Sequence, residues 1–323
     1  RTYENLNVKV EPLCINQANL NTKRMLDLMA VNTEDGTMPL YLHLITRILR
    51  EMRLEQQKTN ASFNYGLFKQ NVKETSLTSA QIAPLTQRLD TLESFMPKSQ
   101  VDGVIISPRN FKGHAPHSNH RNQDEVLMSG NDWTIESGSL TIVDLSCPCI
   151  TSEGACALFN MCLGLFLEQP TEIGRIVALD EAHKYMDSTA EATTLTSTLL
   201  SSIRLQRHIG TRIFISTQEP TISPKLLDLC SVTIAHRFTS PDWLRCLRQH
   251  IAALSKDTYQ NETELNDDSQ NKIFSEIVKL ETGGAILFAP NALIWGNKLG
   301  TSYVKIKVRN RVTTDGGKSI IAS

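Results

Sequence analysis

Ile176-Val177-Ala178-Leu179-Asp180-Glu181-Ala182-His183-Lys184 is an apolar run that ends in two adjacent carboxylates. Four consecutive apolar residues predict a strand buried on both faces of a parallel sheet. Ligands of doubly wound sheets bind at the carboxyl ends of the strands, where Asp180 and Glu181 emerge. Two acids there suit a metal ion and an attacking water: Asp180 would hold the water shell of Mg²⁺, and Glu181 would orient and deprotonate the nucleophile. The same dipeptide also suits the cap of a following helix.

Thr211-Arg212-Ile213-Phe214-Ile215-Ser216-Thr217-Gln218-Glu219-Pro220 is a second strand pattern that ends in polar side chains. If it lies beside the acidic strand, Gln218 neighbours Glu181, and its amide can donate to a terminal phosphate while accepting from water. Ser216 to Gln218 could equally begin a turn before Pro220. The chain contains no GxxxxGK[ST] loop, the segment whose backbone N–H groups and lysine hold phosphates beside such acids.

Around these strands the pattern alternates. Strands are predicted at 140–145, 175–180, 211–217, 231–238, 284–289 and 302–308, with helices at 152–168, 189–207, 241–253 and 271–280. Such alternation argues for parallel βαβ units with right-handed crossovers. The N-terminal part differs. Residues 7–15 read as a strand, and helical spacing follows in Tyr41, Leu44, Ile45, Ile48, Leu49 and Met52 and in Ile82, Leu85, Leu89 and Leu92 behind a Thr78 cap. Residues 107–138 and 255–271 read as polar loops.

Composition sets outer bounds. The chain of 323 residues has 33 Lys+Arg against 34 Asp+Glu, so its formal net charge of −1 gives no bulk electrostatic case for a nucleic-acid partner. Seven cysteines, an odd count without disulfide-like spacing, point to a reducing intracellular compartment, cytoplasm or nucleus, and a soluble protein. No apolar run approaches the roughly 20 residues that span a bilayer, so no membrane association is expected. A first residue of Arg1 rather than methionine suggests a trimmed or incompletely defined start.

LDEAHKYM at 179–186, STQEPTISPKLL at 216–227 and IAHRF at 234–238, with the strand TIVDLS at 141–146, resemble the HerA/FtsK branch of ring-forming P-loop ATPases. The resemblance covers about residues 139–308. It implies an α/β fold with a RecA-like P-loop NTPase core and a mostly parallel sheet, carrying a helical insertion in its N-terminal half. Residues 1–16 would then add a strand to that core, 17–138 form the insertion and long loop, 139–310 the ATPase core, and 311–323 a tail. It implies the cofactors ATP and Mg²⁺, a homo-oligomeric hexameric ring, double-stranded DNA as the translocated partner, and a nuclease or other protein as a further partner. The phosphate loop is then expected upstream of Arg1. STQEP departs from the commoner STQRP of that branch, which puts an acid where a basic residue would meet phosphate.

Ring ATPases complete each site with an arginine from the neighbouring subunit. Arg237, at the end of a predicted strand, ranks first, followed by Arg204 and Arg207 before the second strand; each is also a candidate for an ordinary surface ion pair. The alternative to a motor is a protein that keeps the fold as a binding scaffold without nucleotide grip. Three further patterns carry less. Asp180 to His183 spells DEAH, but too little chain follows for a second motor domain. Gly316-Gly317-Lys318-Ser319 lacks the first glycine of a phosphate loop. His114, His117 and His120 surround Pro116, which disfavours the helix that would align them for zinc.

Overall fold

The computed structural model describes residues 8–29, 40–75, 77–101, 129–170, 172–186, 189–251, 267–294 and 296–309. The histidine-rich loop, the 255–266 stretch and the Gly316–Ser319 tail lie outside the described residues. The chain is mixed α/β and divides into two compact units, residues 1–176 with 188–212, and residues 177–187 with 213–323.

The first unit is helical: α1 (Thr22–Leu28), α2 (Leu40–Thr59), α3 (Tyr65–Lys73), α4 (Ser79–Glu93), α5 (Lys98–Val101), α6 (Ser152–Glu168) and α7 (Ala190–Leu205). The predicted amphipathic faces supply its core, with Ile45, Leu49, Leu85 and Leu92 fully buried. At the start of α4 Gln81 reaches back to accept from the Thr78 N–H at 3.0 Å, one arm of a capping box. Helix α6 is apolar around most of its circumference and packs against α7. Thr151 caps its N-terminus by accepting from Gly154 N–H at 3.1 Å. Buried Arg175 closes the other end, donating through Nη1 to the carbonyls of Phe166, Leu167 and Gln169 at 2.9–3.2 Å and through Nη2 to Ile209 at 2.9 Å.

Two predicted strands of this part are not strands. Of the strand expected at 7–15, the described residues 8–15 pair with no strand among the described residues; Asn131 instead clamps them, its side chain accepting from Cys14 N–H at 2.6 Å and its main chain donating to the Cys14 carbonyl at 2.8 Å. Gly130, at φ +85°, lies so close to Asn16 that a Cβ there would come within 2.9 Å. Pro12 has no N–H to give a ladder, and a side-chain amide takes the bond that a strand would use. Residues 140–145 likewise join no ladder. Leu140 and Ile142 are 84% and 75% exposed, and Asp144 accepts from the Ser146 N–H at 2.9 Å, a local turn that replaces pairing. Hydrogen bonds from Ser146 hold the Asp144 carboxyl below its ordinary pKa.

Strands β1 (Arg175–Leu179) and β2 (Thr211–Ile215) form a parallel pair, held by Arg175 N–H to Gly210 carbonyl at 2.9 Å and Ser216 N–H to Leu179 carbonyl at 2.8 Å. The expectation of burial on both faces fails here: Ile176 is 64% and Phe214 60% exposed.

The second unit carries α8 (Pro224–Leu229), β3 (Thr233–His236), α9 (Pro241–His250), α10 (Asp267–Val278), β4 (Gly284–Phe288), the short hairpin β5 (Leu293–Ile294) and β6 (Asn297–Lys298), and β7 (Val304–Lys307). Its main sheet has the order β3-β4-β7 and is antiparallel throughout, with Ala235 opposite Ile286 and Ala285 opposite Ile306. The predicted mostly parallel sheet is therefore met, among the described residues, by β1 and β2 alone. Ala235, Ile286 and Phe288 from the sheet and Leu247 and Ile277 from the helices form a core, flanked by Phe238 and Trp243. On β7, Lys305 and Lys307 are exposed, a charged sheet edge that discourages pairing with another chain.

Candidate active site

The site lies in the second unit, at the carboxyl ends of the parallel pair. Hydrogen bonding continues past β1 and β2: Ala182 N–H donates to the Ser216 carbonyl at 2.9 Å. That bond sets the residues after one strand directly across from the residues after the other. It brings Glu181 to Gln218, whose side-chain Nε2 donates to Glu181 Oε1. The sequence expectation that these two residues meet is what the structure places there.

Glu181 occupies a left-handed conformation, φ 50° and ψ 44°. A residue with a Cβ gives up about 1 kcal/mol to be there, and such backbone strain concentrates at functional sites. Glu181 stands at the N-cap position of the short 3₁₀ turn Ala182–Tyr185, yet its side chain makes no capping bond. It turns to Gln218 instead. The helix-capping alternative for this carboxylate is thereby removed.

Two further residues complete the arrangement: His183, which the sequence suggests as a residue at the start of the following helix packing near the site, and Trp243. His183, with a side chain only 11% exposed, has Nε2 3.4 Å from Glu181 Oε2, and its Nδ1 lies 3.4 Å from both the Gln218 N–H nitrogen and the Thr217 hydroxyl. Trp243, on the first turn of α9, donates its indole N–H to the Gln218 carbonyl at 3.0 Å. Its ring packs on Phe238 with centroids 6.3 Å apart. Gln218 is thus held by its side chain, its N–H and its carbonyl at once. No sequence signal marked Trp243, because its partner is a backbone atom 25 residues away.

Asp180 is exposed beside Glu181. A single exposed carboxylate fits Mg²⁺ held largely by water and phosphate oxygens, not a cage made by protein alone. No group of three or more His, Cys, Asp or Glu among the described residues is arranged to hold a metal ion. Arg237 follows β3 and is exposed in the second unit. Arg204, in the last turn of α7, and Arg207, in the turn after it, are exposed in the first unit. Among the described residues none of the three makes a salt bridge with another described residue.

Among the described residues no helix is long and apolar enough to cross a membrane. A scan against models of known protein families and a search of curated protein sequences return no match.

Proposed function

We propose that this chain carries the acid and sensor half of an ATP-hydrolysing site, in the RecA-like motor domain of a HerA-like, ring-forming double-stranded DNA translocase or helicase. The observation that carries the reading is the pairing of the Glu181 carboxylate with the Gln218 amide at the ends of two parallel strands. A carboxylate that must draw a proton from water and an amide that must sense a phosphate need this adjacency. The left-handed backbone of Glu181 adds to it, since such strain concentrates at functional sites.

In this reading bound Mg²⁺–ATP supplies the electrophilic phosphoryl group and the charge neutralisation. Asp180 orders the water around the ion, Glu181 orients and deprotonates the attacking water, and Gln218 reports whether the terminal phosphate is still attached. The phosphates themselves need a GxxxxGK[ST] segment, which this sequence does not contain and which this reading requires from outside these 323 residues. Arg237 first, then Arg204 and Arg207, are the side chains offered to a neighbouring subunit of a hexamer. The exposed apolar side chains of β1 and β2 suit a sheet over which another layer packs.

The test is ATP turnover by the full-length protein, with and without double-stranded DNA, once the 5′ end of its transcript is mapped. Mg²⁺-dependent turnover that DNA accelerates supports the motor. ATP binding and turnover both absent would leave the alternative, a scaffold that works by holding partners.

A further inference from the structure

We propose that His183 is a positioning residue that, as its neutral Nε2–H tautomer, fixes the Glu181 carboxylate and the Gln218 main chain together. The inference rests on the ATPase reading for its consequence and on geometry alone for the contacts. The imidazole bridges two segments 35 residues apart: Nε2 faces Glu181 Oε2 at 3.4 Å and, more distantly, Glu219 Oε1 at 4.0 Å, while Nδ1 faces the Gln218 N–H at 3.4 Å.

The surroundings choose the tautomer. Two carboxylate oxygens face Nε2, so a lone pair there would meet lone pairs, whereas an N–H would donate. On the other side the Gln218 N–H can only donate, and a proton on Nδ1 would oppose it. The Thr217 hydroxyl is also 3.4 Å from Nδ1, but it donates to the Glu219 carbonyl at 3.0 Å, so its one proton is used elsewhere. A proton on Nε2 and a lone pair on Nδ1 match both carboxylate oxygens and the Gln218 N–H and leave only the Thr217 oxygen unmatched; the reverse satisfies only Thr217.

The consequence for Glu181 is orientation. The terminal torsion of a glutamate is broad and holds no preferred angle by itself. Here its two oxygens have separate partners: Oε1 takes the Gln218 amide and Oε2 faces His183. The carboxylate plane is therefore fixed from both sides, and a shift of the Gln218 main chain is felt at Glu181 through one rigid ring. A base held in this way keeps its geometry between turnovers, and small misplacements of a reacting group cost rate steeply.

Two measurements test this. In the full chain labelled with ¹⁵N-histidine, long-range ¹H–¹⁵N correlation at neutral pH reads the proton on each ring nitrogen, and His183→Gln identifies the His183 signals. A protonated Nε2 with an unprotonated Nδ1 is expected; a protonated Nδ1, or a rapidly averaged pair, overturns the proposal without reference to activity. In the full-length protein, His183→Asn keeps an acceptor near Nδ1 but loses the Nε2 donor, while His183→Gln keeps an amide donor near Nε2. His183→Asn should lower kcat by about tenfold or more with KM changed less than about threefold, and His183→Gln should recover several-fold of that loss. Unchanged kcat in His183→Asn, or a loss confined to KM, overturns positioning. Glu181→Gln, assayed beside them, separates the two readings: if it retains full turnover the ATPase reading fails, and if it alone loses turnover only the role of His183 fails.

Discussion

The side-chain amide of Gln218 donates to the carboxylate of Glu181 across 37 residues of sequence, and each residue is held there by a further contact of its own. Glu181 is turned by a left-handed backbone, and Gln218 by the indole of Trp243. An amide so held can move only if its neighbours move with it. That couples the end of β2 to α9 and to the aromatic core around Phe238.

Trp243→Phe tests that coupling. The substitution keeps an aromatic ring against Phe238 and removes the one N–H that reaches the Gln218 carbonyl. The lost bond should cost about 1 kcal/mol of stability, measured by denaturant unfolding. In the proposed ATPase reading turnover should fall several-fold, because Gln218 loses its main-chain anchor. Wild-type turnover in this variant would show that Trp243 serves packing alone.

Much of this was legible in the sequence. The strands at 175–180 and 211–217 stand out because apolar runs end abruptly in polar residues, and the helices at 152–168 and 189–207 because caps and apolar spacing agree. Two strand patterns misled, for different physical reasons. Residues 8–15 have the right apolar content, but the long-range bonds from Asn131 take their backbone groups. Residues 140–145 have the apolar content of a strand, yet pattern alone does not supply a neighbour to pair with. The antiparallel order β3-β4-β7 is a fact of which strands meet, which hydropathy does not encode. Trp243 escaped because it acts on a backbone atom of a distant residue, while sequence patterns mark local spacing.

Asp27 gives a pH-dependent prediction in the first unit. Burial raises its carboxyl above the ordinary value of 3.8, outweighing the lowering influence of Lys23, of the Asn160 amide that donates to it at 3.1 Å, and of Arg24. A carboxyl whose folded pKa is raised contributes stability below its ordinary pKa and loses it as pH rises through the folded value. Asp27→Asn removes that loss, and its new amide can donate to Asn160 Oδ1, which is buried with no partner among the described residues. The variant should be more stable than wild type by about 1 kcal/mol at pH 7, with the difference shrinking toward pH 4. Unfolding curves at the two pH values check this; a variant less stable at pH 7 would contradict it.

Arg175→Lys probes a buried cation of the first unit. Four carbonyls, three of them at the end of α6, share the Arg175 guanidinium. A lysine ammonium is a single point with three donors and cannot reproduce the fork. Leaving buried acceptors unmatched should lower stability by about 2–3 kcal/mol, read from the denaturant midpoint at unchanged slope. A loss below half of that would mean water replaces the missing donors.

The central claim is that Glu181 activates water for attack on ATP, and Glu181→Gln in the full-length protein tests it most directly. The amide keeps the size of the side chain but cannot take a proton. Nucleotide affinity and hydrolysis are measured side by side on the same preparation. The account predicts ATP binding within a few-fold of wild type and turnover reduced by at least about 100-fold; hydrolysis at the wild-type rate would contradict it.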